Sequence, residues 1–483
     1  MHFTQSVALI VQALLVRSAP TSPLSRRGLT NDASAVAGES SDYAICGGGL
    51  TGLTVASKLT EDPNISVLVI EAGEDRHEDP RVNDVRTYGQ AFQTELDWNI
   101  TSAPVVWQND TSLPLVAGRM LGGSGSLNGA SWTKGPSSQY DLLPMLTGDD
   151  SWSWKNFNQY MLEAEHFNRP DEDDTGKGAD HTPQSHGHEG EVEVSFARGM
   201  YDSPQPAALQ VSQKVCMLGP DESQNRSSPS TAFAEHQVQE RSNSIILTGH
   251  RVLNINWKDC DGIIASGVNF QASKNGDIHS ATAKREVLLA AGSLQSPQIL
   301  ELSGVGDSDV LAAAGVTLKV AAPGVGKHMP EQTKNSLYYD AKDLALTGTG
   351  PPSAIAFPNI HQLLMDDAAT MYDTTMANIA THAADLELKG SVVDAAATQA
   401  VLEAQVKNLF EDNAPAAEIF FTVFPSEKQI GIDLWNLIVL SRGTCHIKSN
   451  DSWDRPTVEP AYFGHPQDLA IQVAASKQSR EVY

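Results

Sequence analysis

Basic residues are scarce in this chain: 33 Lys and Arg stand against 59 Asp and Glu, giving a net charge of −26 and a pI near 4.8. Phosphate backbones and anionic lipid surfaces repel such a chain, so neither nucleic acid nor a membrane surface is an expected partner. Cysteine is scarce as well, and four in 483 residues cannot build a disulfide scaffold. Cys46 sits in an apolar run and reads as a small buried hydrophobe. Cys216, Cys260 and Cys445 lack metal-ligand spacing, and one disulfide among them is allowed without being specified. Long apolar runs are missing. Val7 to Val16 is too short to span a bilayer and is followed by Arg17-Ser18-Ala19-Pro20, the pattern of a secretory signal peptide over residues 1–19. Residues 20–40 then read as a leader and linker, with Arg26-Arg27 a dibasic processing site. Asn64, Asn99, Asn109, Asn225 and Asn450 stand in Asn-x-Ser/Thr sequons, which accept glycans if the chain is secreted. The expected location is outside the cell or in the secretory lumen, with no membrane attachment once the leader is removed.

The motif with the most chemical content is Gly47-Gly48-Gly49-Leu50-Thr51-Gly52. It follows the apolar run Tyr43-Ala44-Ile45-Cys46 and precedes the β-branched run Ile65 to Ile70, which ends at Glu71. This is the spacing of a dinucleotide-binding βαβ unit. Gly47 allows a tight strand-to-helix turn, Gly49 admits a pyrophosphate against the backbone, and Gly52 lets helix and strand pack closely. The N–H groups of Leu50, Thr51 and Gly52 open a helix whose dipole favours negative charge. Glu71 is placed to accept hydrogen bonds from the ribose hydroxyls of an adenosine, and its charge would repel a 2′-phosphate.

Further along, Gly118 to Gly129 is too glycine-rich for a regular helix or strand and lets backbone approach a ligand. Trp152 to Glu163 reads as a turn and an amphipathic helix. The acidic loop between Arg169 and Glu191 holds His181, His186 and His188, without the third ligand and supporting acid that a metal needs, so no metal is expected. The runs Ile245 to Leu247, Val252 to Trp257 and Ser266 to Gln271, with Gly262 turning between them, predict an antiparallel meander. Val287 to Ala291 predicts a buried strand closed by Gly292, and Ser296-Pro297 a helix start running to Leu302. Val393 to Phe410 reads as a surface helix. Ile419 to Val423, Leu434 to Leu440 and Thr444 to Lys448 read as strands of a second sheet. Folding is expected to begin near Asp42.

These motifs together resemble the glucose–methanol–choline (GMC) family of FAD-dependent oxidoreductases. Gly47 to Gly52 with Glu71-Ala72-Gly73 is similar to its amino-terminal ADP-binding unit, and Gly118 to Asn128 to its first signature. Tyr140-Asp141 with Trp152 and Trp154 to Glu165 resembles the segment that follows. Gly292 to Gly306 fits the second signature, and Ser441-Arg442-Gly443, with Asp451, Pro456, Pro460 and Tyr462, resembles a late substrate-domain strand. The resemblance implies an α/β FAD-binding domain of Rossmann type over 41–150 and 225–330, and an α+β substrate-binding domain with an antiparallel sheet over 151–224 and 331–483. It implies FAD contacts at Gly47, Gly49, Leu50, Thr51, Gly52, Glu71, Ala72, Arg119, Gly122, Gly123, Ser124, Asn128, Gly129, Ala130, Ser131 and Val252. The implied activity is oxidation of an alcohol on a small organic substrate by hydride transfer to flavin, in the aryl-alcohol-oxidase-like or natural-product branches. A non-redox cyclase on the same scaffold and an inactive truncated member are the alternatives.

Some positions depart from the family. Gly125 replaces the second Ser of Gly-Gly-Ser-Ser, and Glu331-Gln332 stand where Asp-His is usual. The segment carrying the family's catalytic His and its partner is expected after Tyr483, so no residue of this chain is assigned a catalytic role. His446 and His465 match neither base. Oligomeric state is not legible.

Overall fold

The structure is a computed structural model that describes residues 28–176, 179–196, 211–213, 215–219, 225–260, 262–341, 354–424 and 427–480. The expected signal peptide and Arg26-Arg27 lie outside the described residues. Strands β1 (Gly28–Thr30), β2 (Ser40–Cys46), β3 (Val67–Ile70), β4 (Ser244–Leu247), β5 (Arg251–Cys260), β6 (Gly262–Gln271) and β7 (His279–Leu289) form a seven-stranded sheet in the order β1-β4-β3-β2-β7-β6-β5. Pairing is parallel from β1 to β7 and antiparallel through β6 and β5. All four residues of β3 are buried because the sheet is covered on both faces. Val67 and Val69 point to the layer containing Leu53 and Ala56 of helix α1 (Leu50–Leu59). Leu68 and Ile70 point the other way, to Val252, Phe270 and Ile299, the last on helix α2 (Gly292–Leu302). The two-residue period of a strand thus divides one apolar run between two cores.

A second sheet is wholly antiparallel. It contains β8 (Lys334–Asp340), β9 (Ala354–Ala356), β10 (Ala417–Phe424) and β11 (Gln429–Asn436) in the order β8-β11-β10-β9, with Val211–Gln213 added beyond β9. Helices α3 (Ala368–Leu388), α4 (Ala395–Phe410) and α5 (Pro466–Arg480) supply Ile379, Leu402, Val406, Leu409 and Ile471 to the same core as Ile419, Phe421, Ile432 and Leu434.

Several sequence expectations shift. Among the described residues regular structure is already present at Gly28, before Asp42, because β1 pairs with β4 at the sheet edge. Ile245 to Leu247 belongs to no meander; it lies between β1 and β3 in parallel register, and the meander is β5-β6-β7. Helix α2 starts at Gly292, with Pro297 inside it. The strand expected to end at Leu440 ends at Asn436, and Ile438 to Leu440 continue as buried irregular chain. Thr444–His446 (β12) pairs with Thr457–Glu459 (β13), apart from the second sheet. Burial makes these segments apolar in any conformation, which pattern alone cannot resolve. Cys46, Cys216 and Cys445 are buried, and none of the three forms a disulfide.

Asp468 at the start of α5 ties this helix to the irregular stretch after β11. Its carboxylate accepts from the N–H of Leu440 at 2.9 Å, the N–H of Ser441 at 3.0 Å and the Ser441 hydroxyl. Asp468→Ala would leave two buried N–H groups unpaired, at about 1–3 kcal/mol each. Denaturant unfolding should show a loss of about 2–6 kcal/mol; an unchanged midpoint would remove this anchor from the account.

Candidate functional site

The carboxyl ends of β2, β3 and β7 open into one cavity of about 620 Å³, a volume suited to a cofactor. Cys46 and Gly47 close β2, Ile70 and Glu71 close β3, and Leu289 to Gly292 close β7, all in the cavity wall. Gly47 has φ +105°, and a Cβ there would lie 2.5 Å from the Ala290 carbonyl oxygen. A Cβ on Gly52 would lie 2.0 Å from the Gly47 oxygen, so α1 rests directly on the turn before it. Gly49 differs. Its nearest neighbour to an added Cβ is Gly123 Cα at 3.8 Å, and Gly49 itself lines the cavity. No side chain caps α1 and no acid occupies its first turn, so the positive end of its dipole faces the cavity unopposed.

Glu71 is buried, and both its oxygens grip the walls: Oε2 accepts from Gly48 N–H at 2.7 Å and Oε1 from Gly73 N–H at 2.8 Å. Burial raises its pKa from 4.5 to about 7, against the opposing pull of these N–H groups and of Arg119. The acid assigned from sequence to ribose hydroxyls therefore also staples the glycine turn to the next loop. A carboxyl with further lone pairs at the cavity face is still suited to donors from a ligand.

Ten of the sixteen residues expected at the cofactor line this cavity: Gly47, Gly49, Leu50, Thr51, Glu71, Ala72, Gly123, Ser124, Asn128 and Val252. The others stand behind it. Gly52 packs α1, and Gly122 (φ +89°) donates to Gly48 O at 2.7 Å and forms a bridge with Gly49. Arg119 lines a neighbouring recess of about 200 Å³, with its guanidinium 5.6 Å from the Trp98 ring centre. Ala130 is buried in a small cluster with Val85, Cys216 and Leu218, and neither it nor Gly129 or Ser131 is in the wall.

Sequence reasoning overlooked Trp98 and Arg251, and marked Gly292 to Gly306 as a signature without assigning its first turn to the cavity wall. Arg251 lies 5.1 Å from the Trp98 ring centre and donates to Gln298 Oε1 at 2.9 Å; burial, with Arg119 adding repulsion, lowers its pKa to about 10. The site thus carries half-buried cations in an acidic chain. Ala290 to Ser296 line the wall where β7 turns into α2, and Gly292, expected to close the strand and to head the second signature, opens that helix with φ +84°.

A second cavity of about 1020 Å³ shares Ala117, Ser124, Asn128, Ser293, Leu294 and Ser296 with the first. Its far wall carries Phe92, Trp107, Trp435, Tyr462 and Glu331. Burial raises the pKa of Glu331 and, foremost, that of Tyr462. Elsewhere, His446 bonds Glu301 at 2.6 Å, while His186 bonds Glu165 at 2.7 Å and stacks on Phe167 at 3.8 Å. Among the described residues no cluster of His, Cys, Asp and Glu could hold a metal.

Residues 41–333 match the family described as GMC oxidoreductase. A glucose oxidase of Penicillium chrysogenum is 34% identical over 478 residues, covering 94% of this chain and 77% of that protein. Among solved structures, an FAD-dependent oxidoreductase from Chaetomium thermophilum superposes with TM-score 0.79 at 22% identity, covering 92% of this chain and 82% of the other. A fungal aryl-alcohol oxidase gives TM-score 0.78 at 20% identity over the same shares.

The glycines separate folding from binding. Gly52→Ala should cost the apoprotein about 1–3 kcal/mol as α1 is pushed off the turn. Gly49→Ala should stay within about 1 kcal/mol of the parent, yet cut FAD affinity by filling the approach to the phosphates. Melting curves and FAD titrations check both, and equal destabilisation by the two would contradict the assignment. For Glu71 the sign follows from a folded pKa above the unfolded 4.5. The folded state holds the proton longer, so apoprotein stability should fall as pH rises from about 4.5 to about 7. Glu71→Gln should flatten that decline in Tm measured across this range.

Proposed function

The chain belongs to the GMC oxidoreductase family, whose cofactor is FAD, and from that premise we propose that it oxidises an alcohol group of a small organic substrate. One observation carries the reading. The cavity at the strand ends meets a larger, aromatic-walled cavity along a shared wall of Ser124, Asn128, Ser293 and Leu294.

The residues present fit the cofactor. The uncapped start of α1 and the bare backbone at Gly47 and Gly49 would take the pyrophosphate, Glu71 the ribose hydroxyls, and Gly123 to Asn128 the flavin end. Bound FAD would supply the hydride acceptor. The protein's share is positioning. Phe92, Trp107, Trp435 and Tyr462 offer apolar surface to a ring or chain and exclude water from it, and polar groups at the shared wall orient the hydroxyl. Glu331 is the carboxyl in the described wall of this cavity and makes no hydrogen bond or ion pair there; burial favours its neutral form.

Export through the secretory route accords with the apolar block Val7 to Val16. Among the described residues no helix is long and apolar enough to cross a membrane. Asn64, Asn109, Asn225 and Asn450 are exposed and suited to glycans, whereas Asn99 spends its amide hydrogens on the Thr94 and Asp97 carbonyls at 2.8 and 3.1 Å.

Purified protein reconstituted with FAD should show a yellow flavin spectrum that bleaches anaerobically when the right alcohol is added. An aryl-alcohol and sugar panel is the first probe. Turnover of a cyclisable substrate with the flavin still oxidised would replace this reading with a non-redox one, and failure to take up FAD would end it.

A further inference from the structure

Arg226 is a buried arginine whose bonds all go to neutral acceptors. Its Nε donates to the Val82 carbonyl at 3.0 Å, Nη1 to Asn128 Oδ1 at 2.8 Å and Nη2 to Asn128 O at 2.8 Å. Burial lowers its pKa to about 10, so it remains a cation at neutral pH. Two of its three bonds hold one residue. Asn128 Oδ1 also accepts from the Ala130 N–H at 3.0 Å. Arginine and a backbone N–H can only donate, so the atom they share must be the amide oxygen and the flipped carboxamide is excluded. The Asn128 NH₂ is thereby forced to the opposite side, where it meets no protein acceptor among the described residues. Asn128 is exposed and lines both cavities. Ala130, next but one, is held at φ +57°, a conformation that a non-glycine residue keeps only when its surroundings impose it.

We propose that Arg226 is a positioning residue, which locks Asn128 as a one-way hydrogen-bond donor aimed at an acceptor atom where the cofactor and substrate cavities meet. The proposal rests on the functional reading above. The acceptor is an atom of the bound flavin or the oxygen of the substrate, and separate measurements distinguish them: FAD affinity and flavin reduction potential without substrate report the first, KM for the alcohol reports the second.

The test is a cycle of Asn128→Ala, Arg226→Met and the double variant, with Asn128→Asp beside them. Arg226→Met keeps the length of the stem and removes every donor. Asn128→Asp keeps both bonds to Arg226 but presents an acceptor to the cavities. If Arg226 acts through Asn128, each single variant should lose about 10-fold in FAD affinity or in KM, and the double should lose no more than the worse single. Asn128→Asp, folded and gripped, should show the full loss and a lower flavin potential. Losses that multiply in the double variant overturn the proposal. So does an Arg226→Met protein that melts earlier but binds FAD and alcohol as the parent does, which describes a structural arginine. Should Arg226→Met not fold, Asn128→Asp decides alone: parental FAD affinity, potential and KM in that variant sink the donor role. A parent that takes up no FAD overturns the functional reading and this proposal together, whereas a flavin-binding parent indifferent to these changes overturns this proposal only.

Discussion

The site depends on a contact that contains no side chain. The backbone of Gly47 approaches Ala290 and supports Gly52 so closely that a single methyl group on either glycine would overlap a carbonyl oxygen. That approach brings three strand ends and a helix start around one cavity, and each of the other site features is arranged relative to it. Glu71 fastens the turn to the Gly73 loop, Gly122 fastens it to the Gly118–Gly129 segment, and β7 arrives at its side to continue into α2. The energetic weight is in steric exclusion as much as in attraction: a packed backbone turn has no cheap way to relax around added volume.

Electrostatics then work against the chain's overall character. The protein carries a net charge of −26, yet the cavity region collects the half-buried guanidinium groups of Arg119 and Arg251, the buried Arg226 beside Asn128, and the positive end of α1. Acidity on the outside keeps like chains apart, while the guanidinium groups and the start of α1 make the cavity region locally positive. The three arginines have different duties. Arg119 and Arg251 flank Trp98, whereas Arg226 is directed at the carboxamide of Asn128.

What was legible in the sequence follows from which physics is local. The Gly47 to Gly52 turn, β2, α1 and β3 are contiguous, and their pattern alone placed Gly47, Gly49 and Glu71 in the wall. Gly122, Arg119 and Ala130, expected at the cofactor, stand outside the lining of the cavity, because a motif marks a segment without saying which of its residues face the open space. Arg251, Trp98 and Arg226 were invisible for the opposite reason: they are single residues brought in from distant segments, with no spacing to mark them. The Gly292 turn was seen as a strand end, when its positive φ opened a helix. Among apolar runs, Ile245 to Leu247 gave its conformation but not its partners, since parallel and antiparallel pairing leave the same imprint on a buried strand.

The pairing of the first sheet also dictates an order of events in synthesis. Gly28 pairs with Ile245 and Ser40 with Thr282, so the strands emerging first from the ribosome wait for partners encoded far downstream, while the intervening chain contributes a strand to the other sheet. Contacts of such long sequence separation fold slowly and leave apolar edges open meanwhile. The Gly47 turn therefore takes its final packing only when β7, encoded far downstream, pairs with β2. Until β7 has docked beside β2, the Gly47 turn lacks the Ala290 backbone against which it is packed.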